Sequence, residues 1–167
     1  MADDAQFQIN VVTPERILLT GMATEVMLRT GEGDATFLAG HTTLVGSVQP
    51  GVVRVVRAEG EVVRIAVHGG FTQVEQNVPV PGADEDVTSS RVTLLVGVAE
   101  LAEEIDADRA RAALEAAEAR VAELGGAATR TPAEGDEADP ELVEAEACVV
   151  RAQVRLEAAD ASASTAA

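Results

Sequence analysis

The spacing of apolar side chains changes near residue 98, and this change constrains the fold more than any other feature of the chain. From Phe7 to Val98, apolar and polar residues alternate, as in Val63-Arg64-Ile65-Ala66-Val67. Alternation of this kind predicts short strands that are buried on one face. Turn residues such as Pro50-Gly51 and Gly69-Gly70 separate the runs. Many short strands joined by such turns indicate a sandwich or a barrel.

Beyond residue 98 the apolar residues recur at helical spacing. Asp106 is a predicted N-cap for a first helix that begins at Ala107 and ends at Gly125-Gly126. Asp139 followed by Pro140 predicts the start of a second helix. The apolar positions of that helix repeat in steps of three and four, which is typical of a heptad seam. The seam consists of Leu142, Ala145, Val149, Ala152, Leu156 and Ala159.

These two patterns predict an α+β chain with a strand-built body at residues 1–98 and an antiparallel two-helix hairpin at residues 99–167. The hairpin has few large apolar side chains, and each contributes at most roughly 2 kcal/mol when buried. Ordering its backbone costs roughly 1 to 2 kcal/mol per residue. We therefore expect the hairpin to depend on a surface on which it docks, and to be able to reorient as a switch does.

The charge of the chain excludes several classes of function. The net charge is −17, and all 12 basic residues are Arg. A chain this acidic repels the phosphate backbone, so we expect no nucleic-acid partner. Because the sequence contains no Lys, Schiff-base chemistry and a phosphate-binding Walker lysine are both excluded.

Few residues are suited to other chemistry. Cys148 is the single cysteine, so no disulfide can form within the chain. The two histidines, His41 and His68, complete no nucleophile, base and acid set with the single cysteine, so a small hydrolase is disfavoured. No His or Cys accompanies the acidic residues at ligand spacing, so we predict no metal site. No apolar run approaches the roughly 18 residues of a membrane span. The acidic N-terminus also lacks the basic flank of a signal peptide, so we predict a cytoplasmic protein without direct membrane insertion.

The segment Gly31–Val45 reads GEGDATFLAGHTTLV and resembles the signature loop of F-type ATP synthase epsilon subunits, which runs roughly EGE and then PGHxPLL. Glu32-Gly33-Asp34 and Gly40-His41 match that loop in register. Gly69-Gly70-Phe71 and Val92-Thr93-Leu94-Leu95 continue the agreement in the same order. The resemblance spans about residues 7–160, apart from inserted segments at 78–91 and 125–140.

The resemblance implies an N-terminal antiparallel β-sandwich, a C-terminal helical hairpin, and a non-catalytic subunit in the central stalk of the proton-translocating ATP synthase. The implied partners are the gamma subunit, the membrane rotor c-ring and, when the hairpin extends, the catalytic alpha/beta head, whose ATP hydrolysis the hairpin inhibits. The implied location is peripheral, at the cytoplasmic face of the cell membrane. Asp34 and His41 align with residues that face the rotor ring in the family, although Ala39 and Thr43 replace the two prolines of the loop.

The start of the first predicted helix, Ile105-Asp106-Ala107-Asp108-Arg109-Ala110, resembles the Ile/Leu-Asp-x-x-Arg-Ala motif of epsilon subunits that bind ATP. By this resemblance the nucleotide site would consist of Glu100, Ile105, Asp106, Arg109, Ala110, Arg151 and Arg155. Guanidinium groups complement phosphate oxygens. However, these arginines can equally pair with helix acids three or four residues away, and Ala116 stands where ATP-binding relatives have a further Arg. We therefore predict no required cofactor and hypothesise weak ATP binding in the hairpin.

A second interpretation is a free-standing nucleotide-sensing or adaptor module built from the same two parts. Co-purification with a gamma subunit, or its absence, would separate the two interpretations. The inserted segments 78–91 and 125–140 receive no functional assignment from the sequence.

Overall fold

The computed structural model describes residues 5–84, 87–127 and 139–163. The chain divides into two compact units, Met1–Glu104 and Ile105–Ala167. The strands are β1 Phe7–Val12, β2 Ile17–Thr30, β3 Gly33–Leu38, β4 Leu44–Val48, β5 Gly51–Arg57, β6 Val62–Val67, β7 Gly70–Pro79, β8 Thr88–Val96 and β9 Ala99–Leu101, followed by a 3-10 helix at Ala102–Glu104 and the helices α1 Ala107–Ala127 and α2 Pro140–Ala163. The predicted α+β fold, a strand-built body followed by a helical pair, is confirmed.

The strands form one hydrogen-bonded sheet that closes on itself. Its order is β1-β8-β7-β4-β2-β5-β6-β9, with β3 paired to β2 and β1 paired to β2 as well. β2 serves two parts of the sheet, since its first half pairs with β1 and its second half with β3 and β5, with a register shift between Ala23 and Glu25. Among the described strands, β1 and β8 run parallel and the remaining pairs run antiparallel, so the predicted antiparallel sandwich holds with one parallel pair added.

The interior of the first unit is mainly aliphatic, in keeping with a sequence that contains three Phe and neither Tyr nor Trp. Its largest fully buried side chains are Phe7, Phe37, Ile9, Leu28, Ile65 and Leu94. The third phenylalanine, Phe71, does not belong to this core, and its side chain is 61% exposed. Alternation along β7 explains the difference, because the inward positions are Thr72 and Val74.

The first unit extends beyond the boundary that the periodicity predicts at residue 98. β9 pairs with β6, placing Leu101 opposite Ile65 and Ala99 opposite Val67. A strand of three residues is too short to show alternation, so the sequence pattern does not predict β9. The 3-10 helix Ala102–Glu104 completes this unit, and the helical unit begins at Ile105.

Both predicted helix starts are confirmed. The Asp106 carboxylate accepts a hydrogen bond from the Arg109 N–H at 2.9 Å, and the Asp139 carboxylate accepts one from the Glu141 N–H at 2.9 Å. α1 ends at Ala127, one residue beyond the predicted stop at Gly125-Gly126, so the prediction agrees to within the one or two residues that define a helix end. Glycine inside a helix costs only about 1 kcal/mol relative to alanine, which the preceding turns can offset.

The two helices pack side by side and run antiparallel. Arg120, in the second half of α1, donates a hydrogen bond at 2.6 Å to Glu141 in the first turn of α2. The buried positions on these helices are mostly alanines, namely Ala110, Ala117, Ala145, Ala152 and Ala158, with Val154. Most of the inserted segment 125–140 lies outside the described residues. Neither described helix combines the length and the apolar composition that a membrane span needs.

Candidate functional site

A row of outward-facing side chains crosses four strands of the first unit. Phe71 on β7 lies opposite Leu95 on β8 and opposite Ser47 on β4. Leu95 in turn lies opposite Val12 on β1. Phe71 is 61% exposed and Leu95 is 48% exposed, so the two largest side chains of this row face outward.

A second row runs beside the first and is likewise uncharged. Val45, which is 70% exposed, lies opposite Gln73, and Gln73 lies opposite Thr93. Thr93 is opposite Asn10 on β1. We call these two rows the uncharged face; it consists of Ser47, Phe71, Leu95, Val12, Val45, Gln73, Thr93 and Asn10. The next row contains charged residues, because Nη1 of Arg91 on β8 lies 3.8 Å from Oε2 of Glu75 on β7.

Gly70 fixes the backbone that presents Phe71. Its φ angle is +152°, and a Cβ at this position would lie 2.3 Å from the Leu95 carbonyl oxygen. No real side chain tolerates so short a contact with a backbone atom, so only glycine lets β7 approach β8 here. Gly70 therefore has a backbone role at the point where β7 and β8 come together.

Asp34, the first of the two residues predicted to face the rotor ring, lies in β3 just after the β2–β3 turn. Its carboxylate accepts hydrogen bonds from Arg29, at 2.9 Å from Nε and 3.4 Å from Nη2. The hydrogen bond from Arg29 and the positive charge of that group lower the pKa of Asp34 below its ordinary value of 3.8. Asp34 is therefore an exposed carboxylate that stays ionised at neutral pH.

His41, the second of these residues, lies in the loop beyond the other end of β3. Its ring is tilted against Phe37 with the centroids 4.8 Å apart, and its Nδ1 lies 2.9 Å from the Thr42 carbonyl oxygen. Gln76 donates hydrogen bonds to the carbonyls of Gly40 and His41, at 3.3 and 3.0 Å. These contacts make His41 part of a well-fixed loop.

The structure does not bring Asp34 and His41 together. β3 runs from the Asp34 end to Leu38 before the loop begins, which separates the two residues by roughly 13 Å along the strand. Asp34 and His41 belong to one sequence motif, but they lie at opposite ends of β3.

On the helical unit, the first turn of α1 carries Arg109 with an exposed side chain. Within the described ranges, no carboxylate forms an ion pair with its guanidinium. Asp106, from the same motif, serves as the N-cap, and Ala110 is buried. Ile105 is half-buried at the start of the unit.

Unlike Arg109, Arg151 on α2 is hydrogen-bonded to other side chains of its own helix. Arg151 donates hydrogen bonds to Glu144 at 2.6 Å and to the Cys148 sulfur at 3.0 Å. The hydrogen bond from Arg151 lowers the pKa of Glu144. Arg155 is half-buried one turn further along α2.

Because the helices are antiparallel and Arg120 meets Glu141, the first turn of α1 lies level with the second half of α2. This brings Arg109 to the region of the hairpin that contains Arg151 and Arg155. Glu100 belongs to the other unit, where it lies in β9 with a carboxylate oxygen 3.8 Å from Nε2 of the nearly buried His68. The described residues contain no cluster of His, Cys, Asp and Glu that could hold a metal ion.

The uncharged face was not predicted from the sequence, although a signal for it exists. Val74 is a strongly apolar residue between Gln73 and Glu75, so its side chain is expected to point into the core. Because side chains alternate between the two faces of a strand, Phe71, three residues earlier, must point outward. Exposure of a large aromatic residue could therefore have been inferred from its four C-terminal neighbours.

Comparison with known proteins identifies relatives for both units. Residues 6–80 match the model of the ATP synthase delta/epsilon chain β-sandwich domain, and residues 103–160 match the model of its long α-helix domain. The chain is 44% identical over 121 residues to the ATP synthase epsilon chain of Thermobifida fusca, covering 71% of this chain and 79% of that protein. It is 37% identical over 150 residues to the ATP synthase epsilon chain of Prochlorococcus marinus, covering 90% of this chain and 96% of that protein.

Solved structures share the fold. A chain of the Euglena gracilis mitochondrial ATP synthase, in a structure of its OSCP, F1 and c-ring, superposes with a TM-score of 0.66 at 22% identity, covering 93% of this chain and 81% of that chain. A chain from the central stalk and c-ring of the Tetrahymena thermophila mitochondrial ATP synthase superposes with a TM-score of 0.52 at 14% identity, covering 92% of this chain and 96% of that chain.

Proposed function

This chain belongs to the ATP synthase delta/epsilon family as an epsilon subunit of the central stalk, and we propose that it couples the gamma subunit to the membrane rotor ring and restrains ATP hydrolysis through its helical hairpin. As an epsilon subunit it is non-catalytic. Its proposed location is peripheral, at the cytoplasmic face of the cell membrane.

The alanine-rich contact between α1 and α2 is the observation that carries the regulatory proposal. Ala110, Ala117, Ala145 and Ala152 are buried. Each buried methyl group contributes only about 0.8 kcal/mol, against roughly 2 kcal/mol for a leucine side chain. Two helices packed this lightly can change their arrangement at small cost. In the proposed mechanism it alternates between a compact state and an extended state that reaches the alpha/beta head and blocks hydrolysis.

Weak ATP binding by the hairpin would bias this switch. Arg109 offers an exposed guanidinium for a phosphate group, and Arg151 and Arg155 lie at the same level of the hairpin. If ATP binds the compact state alone, it stabilises that state by RT ln(1 + [ATP]/Kd). Inhibition would then be strongest when ATP is scarce.

Contact with the rotor ring is assigned to the end of the first unit that carries Asp34. The side chain is exposed and ionised, and Arg29 holds it in place. His41 was predicted to share this contact, and it stays a candidate at the far end of β3, where its loop is fixed by Gln76.

Reconstitution tests the assignment as a whole. The full chain is added to an ATP synthase that has been stripped of its own epsilon subunit, and proton pumping driven by ATP hydrolysis is measured in vesicles. We expect stoichiometric incorporation and restored pumping. A chain that neither co-purifies with the gamma subunit nor restores pumping is not a stalk subunit, and that result would favour an adaptor or nucleotide sensor outside the synthase.

A further inference from the structure

We infer that Arg120 is an electrostatic clasp between the two helices: it binds one carboxylate on each of them and holds the hairpin closed where α1 ends and α2 begins, which makes this closure sensitive to ionic strength. We call this part of the hairpin the loop end. The clasp is a property of the helical unit itself. Its consequence for regulation rests on the proposed function, because a hairpin that restrains hydrolysis by rearranging would open more readily when the clasp is released.

A single guanidinium group joins α1 to α2. Nη1 of Arg120 donates a hydrogen bond to Oε2 of Glu123 at 2.9 Å, and Nη2 donates one to Oε2 of Glu141 at 2.6 Å. Glu123 lies one turn further along α1, whereas Glu141 lies in the first turn of α2. The planar fork of an arginine presents several N–H donors in fixed directions, so one side chain can serve both carboxylates.

The start of α2 holds Glu141 in place. The Asp139 carboxylate accepts a hydrogen bond from the Glu141 N–H at 2.9 Å, and Pro140 occupies the first helical position, where its fixed φ angle favours the helix. The backbone that carries the Glu141 side chain is therefore already ordered. Arg120 gains its partner on α2 without the cost of fixing a flexible segment.

Apolar packing is weak at the loop end. A groove of about 410 Å³ lies beside Arg120, lined by Arg120, Pro140, Glu141, Glu144, Ala145 and Cys148. This volume corresponds to more than about ten water molecules at roughly 30 Å³ each. Leu124 and Leu142, the leucines nearest the loop end, are only half-buried. Side-chain packing therefore does not lock the two helices together here, and the ion pairs of Arg120 carry much of the contact.

The charges around Arg120 make its removal more costly than the loss of an ordinary surface ion pair. Exposed ion pairs usually contribute little to stability, because solvent screens them and two side chains must be ordered. Glu123 and Glu141, however, bind the same guanidinium, so without it they become two like charges at short range. A neutral residue at position 120 would remove two attractions and leave a repulsion between the helices.

The test measures hydrogen exchange of the α2 amides in the full chain, for the wild type and for Arg120→Gln. Because most helical stability in a protein comes from packing against a neighbour, amides of α2 lose protection when the helices separate. We expect Arg120→Gln to lower the protection of residues 143–149 by about fivefold at low salt. In 1 M NaCl, where the Debye length is only about 3 Å, we expect the difference from the wild type to shrink to less than about twofold.

Arg111→Gln is the matched control. It also removes an exposed arginine from α1 together with an ion pair three residues away, but the partner of Arg111 is Asp108 on the same helix. We expect this variant to keep the protection of the wild type. In a second variant, Arg120→Gln is combined with Glu141→Gln, which removes the repulsion between the helices. We expect that double variant to recover part of the lost protection.

Three results would overturn the inference. Wild-type protection in Arg120→Gln would mean that no clasp holds the loop end. Equal losses in Arg120→Gln and Arg111→Gln would attribute the effect to net charge. A loss that persists in 1 M NaCl would show that the closure does not depend on ionic strength. The exchange measurements use the isolated chain, so they stay decisive for the clasp even if removal of the hairpin leaves hydrolysis by the synthase unchanged, a result that would contradict the proposed function alone.

Discussion

Arg151 and Glu144 are joined across two turns of α2 by a hydrogen bond of 2.6 Å. The same guanidinium donates to the Cys148 sulfur at 3.0 Å. A residue that resembles a phosphate ligand in the sequence is thus already paired with a carboxylate of its own helix. ATP would have to compete with Glu144 for Arg151, which gives a physical reason for weak binding.

Removing that competitor should strengthen ATP binding. We expect Glu144→Gln to raise ATP affinity by up to about fivefold, the range that a surface ion pair contributes. Calorimetry of the full chain measures the change. Glu146→Gln is the control, because Glu146 is also exposed on α2 and its replacement removes the same charge. An equal gain in both variants would attribute the effect to net charge alone.

Arg109 should matter more than its neighbour Arg111. The Arg109 guanidinium is exposed and available, whereas Arg111 pairs with Asp108 at 2.5 Å. We expect Arg109→Gln to weaken ATP binding by about tenfold or more, as the loss of a charge-assisted hydrogen bond does, and Arg111→Gln to have a much smaller effect. Identical affinities for the two variants, measured by the same titration, would remove Arg109 from the site.

Gly70 should tolerate no side chain. In Gly70→Ala the new Cβ would collide with the Leu95 carbonyl oxygen, and β7 would have to separate from β8. We expect a loss of about 2 to 4 kcal/mol in the free energy of unfolding, measured with urea. Gly97→Ala is the control, since a Cβ there meets nothing within 4 Å. If both variants unfold at the same urea concentration, the close approach of the strands is not required.

The Asp34 and Arg29 pair should give stability a dependence on pH at acidic values. The folded pKa of Asp34 is lowered below 3.8, so its contribution is present above that value and is lost as the pH falls through the folded pKa. Arg29→Gln should return the pKa of Asp34 toward 3.8, as read from the carboxyl resonance in an NMR titration. An unchanged titration curve would mean that the pair does not form in solution.

Local signals in the sequence predicted local features well. Asp106 and Asp139 were identifiable as N-caps because a cap depends on the few residues beside it. The alternation from Phe7 onward likewise predicted a strand-built body. The strand partners depend on contacts between residues far apart in the sequence. The parallel pairing of β1 with β8 could therefore not be predicted from the sequence of either strand.

The candidate site was less predictable for the same reason. Asp34 and His41 share one motif, yet the length of β3 separates them. The ion-pair partner of Arg151 could not be predicted, because several acidic residues lie nearby and the one that it binds, Glu144, is two turns away. Hydropathy alone would place Phe71 in the core, whereas the alternation of side chains along β7 makes it face outward.

The most direct test of the account is the rate of ATP hydrolysis by a reconstituted synthase that contains either the full chain or a chain ending at Glu104, where the first unit ends. We expect the shortened chain to assemble with the gamma subunit and the rotor ring, and hydrolysis at low ATP to rise severalfold, with a smaller difference at high ATP. Equal hydrolysis rates for the two assembled enzymes at low ATP would contradict the proposal that the hairpin restrains catalysis.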